Sequence, residues 1–600
     1  GATEEKTNRH LLSDWNEEDN SLYFRNVYHQ IFKHVTLYLT STEKIICFDD
    51  KNPTHKSIET QIEVEKESTR EMAFMIGVKE ENDNIAKTTP SIIEAYREVQ
   101  EHWKNKLSVI RVATPDDSFN YVMNNWYMYQ TLASRLYART GFYQVGGAYG
   151  FRDQLQDMVS VMYSNPQMAR NQIIKHASHQ FPEGDVLHWW HEDNNFGTRT
   201  TFSDDYLWLI YVTYEYLKVV GDYGILDEDV PFVEGEKLKE GESERGIHFY
   251  KSDKTASLYE HLKLCIHKSL GQMGRHSLPL MGSGDWNDGM NKVGEKGKGE
   301  SVWVGFFLVD LLNKIIPIAS YKKDDDFVKK CEQAIPPLVE ALNQNAWDGE
   351  WYLRAYFDNG DVLGSRNNAE CQIDLLSQSW SILTDVADEE RKQSILRETE
   401  NRLVDHQHKI IKLLTPAFKN SKNNPGYIMD YLEGIRENGG QYSHGAMWYI
   451  MALLKEGLVD KAYNYYAMIN PINRTSSLSD VLKYKVEPYS MAADIYSNPQ
   501  FPGRGGWTWY TGSSSWAYKV GLEHIVGFKK EGKFLRIEPK IPSSWTSFSI
   551  EYRYIDTLYT IYVQCDKGKD KTLIVDGKAV EGQVIELEND KKHHIVEVRC

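Results

Sequence analysis

The chain has 600 residues and carries 69 Lys and Arg against 86 Asp and Glu, a formal net charge of −17 at pH 7. That balance argues against nucleic acid as a partner, because phosphate backbones are bound by basic stripes, while a local cluster can still hold a small anion. The six cysteines are scattered, with no CxxC and no paired spacing, which suggests neither a zinc site nor a disulfide framework and fits a reduced, cytoplasmic compartment.

The start, Gly1-Ala2-Thr3 without Met, suggests a processed or trimmed chain, and no secretory signal pattern is read there. No apolar run approaches the roughly 20 residues of a membrane span. Residues 1–20 are polar and expected to be mobile. From Tyr23 to Val78 the runs HVTLYLT, KIICF, TQIEVE and EMAFMIGV alternate with period two, which predicts about four strands of a partial β-sandwich over 1–88. Apolar positions at helical spacing from Ser91 to Ile110 predict a linker helix, assigned to 89–112. Helical patterning then predicts segments at 117–139, 153–177, 203–221, 256–272, 301–320, 325–344, 374–386, 389–403, 442–455, 457–468, 487–496 and 512–525. A dozen helices joined as antiparallel hairpins suggest a closed double ring, six inner and six outer, and no fixed-period repeat supports a solenoid instead. From Phe528 alternation returns through FLRIEPKI, SFSIEYRYI, LYTIYVQ, KTLIVDG, QVIELEN and HHIVEVRC, predicting an antiparallel β domain over 527–600.

Five loop stretches carry residues suited to chemistry. In GSGDWNDGMN (282–291), Asp285 and Asp288 flank Trp286 and Asn287 between glycines. Trp offers a flat apolar face to a sugar, and a carboxyl near it can keep a raised pKa and donate a proton. The plainer reading is a polar turn, which Asp, Asn and Gly form by themselves; Asp288 is the candidate acid. YQVGGAYGFRDQLQD (143–157) sets Arg152-Asp153 at a helix start, where an acid is also ordinary. FPEGDVLHWWHEDNNFGTRTTFSDD (181–205) gathers His188, Trp189, Trp190 and His191, which suit sugar stacking better than a metal, since no third ligand stands at sensible spacing.

GIRENGGQYSHGAMW (434–448) puts His444 one turn into a helix beside Arg436 and Glu437. GRGGWTWYTGSSSW (503–516) presents N–H groups and hydroxyls at a helix start, an arrangement that holds an anion and equally serves as a helix cap. No obvious second carboxylate pairs with Asp288 as a base. An inverting hydrolase needs an acid and a base about 6.5–9.5 Å apart, whereas a phosphate dianion attacks unaided, so the pattern favours phosphorolysis.

Taken in order, YQVGGAYGFRDQLQD, FPEGDVLHWWH, LYEH (258–261), GSGDWNDGMN, GKGESVW (297–303), RENGGQYSH and GRGGWTWYTGSS resemble the inverting family of cellobiose and chitobiose phosphorylases. The likeness runs from about Arg25 to the C-terminus and is strong toward the phosphorylase module of cyclic β-1,2-glucan synthases. It implies a mainly α fold, an (α/α)6 barrel over 113–526 flanked by the partial N-terminal β-sandwich, the linker helix and the C-terminal antiparallel β domain. It implies Asp288 as general acid, Arg152, His444, Thr511 and Gly512 as phosphate-binding, and Asp153 and Trp286 as holding the glycosyl unit. His188, Trp190, Arg436 and Glu487 complete the expected substrate-binding set. No metal and no organic cofactor are expected, because inorganic phosphate is a co-substrate and the acid supplies the proton.

The expected partners are a β-glucan oligosaccharide and phosphate, with a homodimer or an associated or covalently joined glucan synthase, and with no nucleic acid and no membrane span in this chain. Two departures stand out. Cellobiose-type members carry RGxGFRD where this chain has Gly147, which favours a β-1,2-linked glucan over cellobiose. The N-terminal sandwich is also much shorter than the family's, its strands being trimmed, supplied by another chain or absent. The expected activity is inverting phosphorolysis of β-glucan to α-glucose 1-phosphate and a glucan one unit shorter, with a role in setting chain length. Alternatives are a carbohydrate-binding or chain-length module with little catalysis, a cellobiose/chitobiose-type phosphorylase, or an inverting hydrolase.

Overall fold

The structure, a computed structural model, describes residues 10–28, 35–52, 55–80, 92–140, 146–565 and 571–600. They fall into two compact units, Gly1–Asn105 and Lys106–Cys600. In the first, β1 (Leu11–Asn16), β2 (Ser21–Asn26), β3 (Val35–Ser41), β4 (Ile45–Asn52), β5 (His55–Thr60) and β6 (Phe74–Glu80) are the strands. An antiparallel sheet has the order β1-β2-β3-β6, and β4-β5 is a separate hairpin. Part of the N-terminal stretch expected to be mobile is thus strand β1, formed because its backbone pairs with β2 from Leu11↔Asn26 to Asn16↔Ser21; residues 1–9 lie outside the described residues. Residues 61–65 of TQIEVE are not strand, since β3 pairs directly with β6 and leaves them no partner.

Helix α1 (Ile92–Leu107) stops short of the expected Ile110. Ile110 instead opens β7 (Ile110–Ala113), whose Ile110 and Val112 turn inward. The helices of the second unit are α2 (117–137, with two π-type stretches), α3 (Phe151–Val161), α4 (Pro166–Ala177), α5 (Leu207–Val220), α6 (Leu258–Leu270), α7 (Val302–Tyr321), α8 (Asp325–Asn345), α9 (Leu375–Leu383), α10 (Glu389–Leu403), α11 (Ser443–Lys455), α12 (Val459–Ile469) and α13 (513–525). Each of α3, α5, α7, α9, α11 and α13 packs on the next, and α13 packs back on α3. The alternate helices α2, α4, α6, α8, α10 and α12 each lie against one or two members of that cycle.

The cycle's interior is filled by indoles: Trp208, Trp303, Trp380, Trp448 and Trp516 from five of the six helices are buried, with Trp448 stacked on both Trp208 and Trp303 at 6.2 Å. Much of the tryptophan content thus serves packing, where a large ring buries more apolar area than any other side chain. Helix α7 is long and apolar enough by composition to cross a membrane, but 72% of its most apolar window is buried inside the fold, as in a core helix.

Three sequence expectations need correction here. The segment 153–177 is two helices, because Asn165 caps α4 and Pro166 takes its first position. Residues 487–496 are not helical: Asp494 and Ile495 pair with Tyr442 and Gln441, and the nearby helix is Leu478–Tyr484. Strands also interrupt the helical region, notably β8 (Leu187–His191) and β9 (Phe196–Thr200).

In the C-terminal β domain, β10 (Ser547–Tyr554), β11 (Thr557–Gln564), β12 (Thr572–Val575) and β13 (His593–Arg599) form a sheet in the order Lys578–Ala579, β12, β13, β11, β10, β7. It is not wholly antiparallel, because β11 and β13 run parallel, their long connection allowing the chain to return in the same direction. That pairing sets Cys565 and Cys600, just past the two strand ends, 4.6 Å apart at Cα in a disulfide. The expectation of no disulfide therefore fails; sequence spacing could not show a pair created by strand register.

Candidate active site

The loops that precede α3, α5, α7, α11 and α13 meet at one end of the helical cycle around a cavity of about 380 Å³. The starts of α3, α11 and α13 thus face the cavity, and their free N–H groups and partial positive charge favour an anion there. Of the expected residues, Arg152, Asp153, His188, Trp286, Asp288, Arg436, His444, Thr511 and Gly512 all line this wall.

Asp288 lies in the 282–291 loop before α7. Gly282 has φ +62° and passes so close to the Thr201 carbonyl that a Cβ would sit 1.9 Å from its oxygen, so only glycine fits. Within the loop, Asp285 accepts from the Asn287 N–H at 3.1 Å, and the Asn287 side chain accepts from the Gly289 N–H at 3.1 Å. Asp285, unlike Asp288, is fully buried and points away from the cavity. It takes two hydrogen bonds from Arg354, at 2.6 and 2.7 Å, and one from Ser301 at 2.7 Å. Burial alone would raise its pKa, but the Arg354 guanidinium holds it below the usual carboxylate range. The Asp288 side chain is 41% exposed to the cavity.

Arg152, in the first turn of α3, contacts the Asp288 carboxylate directly. It also donates to Asp204 at 2.8 Å and to the Asp285 carbonyl at 3.0 Å. His188 donates from Nδ1 to Asp205 at 2.8 Å, stacks on Phe202, and brings Nε2 to 3.9 Å from Asp288. Trp286 packs on Tyr442, His444 and Trp448.

In the same wall, Thr511 gives its hydroxyl proton to Ser513 at 2.9 Å, and Ser513 Oγ lies 2.9 Å from His444 Nδ1. Ser513 is thereby left to donate to Nδ1, which leaves the hydrogen of the neutral imidazole on Nε2. Burial, followed by the nearby Arg135, pushes the His444 pKa down to about 3. A Cβ on Gly512 would approach His444 Nε2 to 2.8 Å, so glycine is what lets turn and imidazole share one face.

Two expected residues are not on the wall. Trp190 is fully buried, stacked on His179 at 4.1 Å and on Tyr149 at 5.4 Å. A bulge between β8 and β9 shifts the register between Thr198 and Arg199, which upsets strict alternation and brings His188 and Trp189 both to the cavity. Glu487 stands away from the wall because its segment is a loop instead of the expected helix; the carboxylate beneath the site is Asp494, which accepts from the Arg436 and Trp507 N–H groups at 3.1 and 2.9 Å. Of the glycine-rich motif at 143–157, residues 143–145 lie outside the described residues.

Sequence reading missed Arg135, Tyr427 and Tyr442 in the wall. Arg135 is 3% exposed, held by Asp157 at 2.9 Å and Asp153 at 3.4 Å, and lies over the Tyr510 ring at 4.6 Å. The available signal was a charge inside the apolar pattern of α2, where an arginine is buried only if paired. Among the described residues, no three His, Cys, Asp or Glu side chains gather as a metal-binding set.

The catalytic-domain model of the glycosyl hydrolase 94 superfamily matches residues 102–527. Over 526 residues the chain is 40% identical to the cyclic beta-(1,2)-glucan synthase NdvB of Rhizobium meliloti (strain 1021), a match covering 86% of this chain and 18% of that protein. It is 31% identical over 496 residues to the solabiose phosphorylase of Paenibacillus borealis, covering 82% of this chain and 60% of the relative. The chain thus spans a fifth or less of the first and three-fifths of the second. A bacterial glucoamylase solved with acarbose shares the fold at a TM-score of 0.53 and 11% identity, over 84% of this chain and 72% of the glucoamylase.

Proposed function

This chain belongs to the glycosyl hydrolase 94 superfamily, and we propose that it carries out inverting phosphorolysis of a β-1,2-linked glucan. Asp288 protonates the glycosidic oxygen, phosphate attacks C1 from the opposite face, and α-glucose 1-phosphate leaves with a glucan one unit shorter. The observation that carries this reading is a single cavity whose wall holds a partly exposed carboxyl together with an anion-binding face. That face combines the His444 Nε2, the Gly512 turn and the Arg135 and Arg152 guanidinium groups, and the Thr511 hydroxyl joins it when its proton turns from Ser513 to the phosphate. The two other carboxylates in the wall face arginines, Asp153 toward Arg135 and Glu437 toward Arg436, both at 3.4 Å. Pairing with an arginine weighs against either as the base that hydrolysis requires.

Arg152 touches Asp288, so a phosphate that draws this guanidinium toward itself releases the acid to hold its proton. Similarity to a protein named as a cyclic β-(1,2)-glucan synthase supports the linkage, and similarity to a named phosphorylase supports the reaction. We read the helical cycle as an (α/α)6 barrel over 113–526; the return of packing from α13 to α3 supports this. The C-terminal domain, 527–600, then borrows β7 from the linker. The Cys565–Cys600 disulfide removes the cysteine argument for a reduced compartment.

The deciding experiment measures sugar release from a β-1,2-glucooligosaccharide across a phosphate series. Release of glucose 1-phosphate that saturates with phosphate is expected. Free glucose formed at a phosphate-independent rate would make the protein a hydrolase, and no product with any glucan would favour a binding module.

A further inference from the structure

The turn that presents Thr511 and Gly512 follows a backbone under strain. Trp509 adopts φ +65°, a conformation that a bulky side chain rarely takes. The Tyr510 N–H bonds back to the Thr508 carbonyl at 2.8 Å, and the Thr511 N–H to the Trp509 carbonyl at 2.9 Å. These are two successive γ-turns, the first of the rare positive-φ kind. Such a conformation persists only where its surroundings over-determine it.

Gln130 supplies that determination. It lies on α2 and is fully buried, and it is not part of the cavity wall. Its Nε2 donates to the Trp509 carbonyl at 3.1 Å and to the Met491 carbonyl at 3.1 Å, and its Oε1 accepts from the Met491 N–H at 2.9 Å. One carboxamide thus uses both its donor hydrogens and an acceptor lone pair to tie two loops together. The next residue, Thr131, continues the strap through a 3.1 Å hydroxyl contact with Ser514, in the first turn of α13. Ser490 accepts from the Trp509 N–H at 3.3 Å on the opposite side. No other side chain reaches the Trp509 carbonyl among the described residues.

We infer that Gln130 is a positioning residue for the anion site, holding the strained 508–511 turn so that the Thr511 hydroxyl and the Gly512 backbone meet His444. This rests on the phosphorolysis reading above. Without the strap the turn relaxes to negative φ at Trp509, and Thr511 swings away from Ser513 and His444. Among the described residues no hydrogen bond joins Gln130 or Thr131 to the acid loop, so the loss falls on phosphate far more than on glucan.

The test uses the whole chain with Gln130→Leu and Gln130→Glu, inorganic phosphate and a β-1,2-glucooligosaccharide. In Gln130→Leu, KM for phosphate is expected to rise about tenfold or more, as for the loss of buried hydrogen bonds, while KM for the glucan moves less than about twofold. Gln130→Glu keeps the bond from the Met491 N–H but turns a carboxylate toward two carbonyls. Protonation restores one donor, so its phosphate KM should fall toward wild type as the pH is lowered. Adding Trp509→Gly to Gln130→Leu removes the steric cost of positive φ and should recover part of the phosphate affinity. Phosphate KM unchanged in Gln130→Glu overturns the inference, as does a parallel rise of both KM values with a fall in Tm. Wild-type turnover without phosphate would overturn the phosphorolysis reading itself, and the inference with it.

Discussion

Asp285 and Arg354 form a fully buried two-pronged ion pair, 2.6 and 2.7 Å, three residues before the carboxyl that faces the cavity. The pair anchors the loop: Asp285 also takes the Ser301 hydroxyl at the start of α7 and the Asn287 N–H. Asp285→Ala leaves the buried Arg354 only Asp374, 3.5 Å from its Nε, as a carboxylate partner, so it is expected to cost up to about 3–5 kcal/mol and most activity. The double replacement Asp285→Leu with Arg354→Met also strips the buried Asp374 of its cation, so it should regain only part of that stability and no activity. Urea denaturation beside initial rates would check it, and full activity in the double variant would show that the pair does not orient Asp288.

Asp288→Asn keeps the shape of the acid and removes its proton. Turnover should fall about 10²–10⁴-fold, the usual contribution of general acid catalysis, with an unchanged Tm. Activity within a few-fold of wild type would take the acid role away from Asp288.

Gly512→Ala places a Cβ 2.8 Å from His444 Nε2, and Thr511→Val removes a hydroxyl from the same face. Both should raise KM for phosphate about tenfold or more while leaving glucan affinity nearly unchanged, since each disturbs one buried polar contact. Phosphate-series kinetics decide this, and a selective rise in glucan KM would reassign the turn to the sugar.

His444 has its folded pKa lowered to about 3 by burial and by Arg135, against about 6.5 in an unfolded chain. The folded protein thus keeps the ring neutral at pH 5–8, and phosphate KM should show no histidine inflection there. Between pH 6.5 and 3 the unfolded chain takes up the proton first, so this contribution is present above about 6.5 and is lost as the pH falls toward 3. His444→Gln should accordingly flatten the acid limb of the stability profile. A steeper limb in that variant would contradict a neutral His444.

Gly147 has φ +69°, and among the described residues nothing lies within 4 Å of the place a Cβ would take. Its neighbour Ala148 is part of the cavity wall. Without a side chain at 147 to reach a sugar, cellobiose should be a poor substrate and β-1,2-linked oligosaccharides better ones. Relative kcat/KM values on the two substrates test this, and a preference for cellobiose would refute it.

Much of this architecture was written locally. Helix 389–403 matches its predicted span, because Asp388 caps it and apolar positions recur at helical spacing. The residues around Asp288, Arg152, His444 and Thr511 were legible for the same reason: glycine turns and helix starts act over a few neighbouring residues. What the tertiary structure decided are pairings between distant positions. The bulge between β8 and β9 chose Trp189 over Trp190 for the wall, and parallel β11 and β13 made the Cys565–Cys600 bond. Packing of α2 against α13 brought Arg135 into the site and set Gln130 under the strained turn. Caps, turns and periodicity are fixed by neighbours along the chain, whereas register and burial depend on which distant surface completes each contact, and no local pattern encodes that choice.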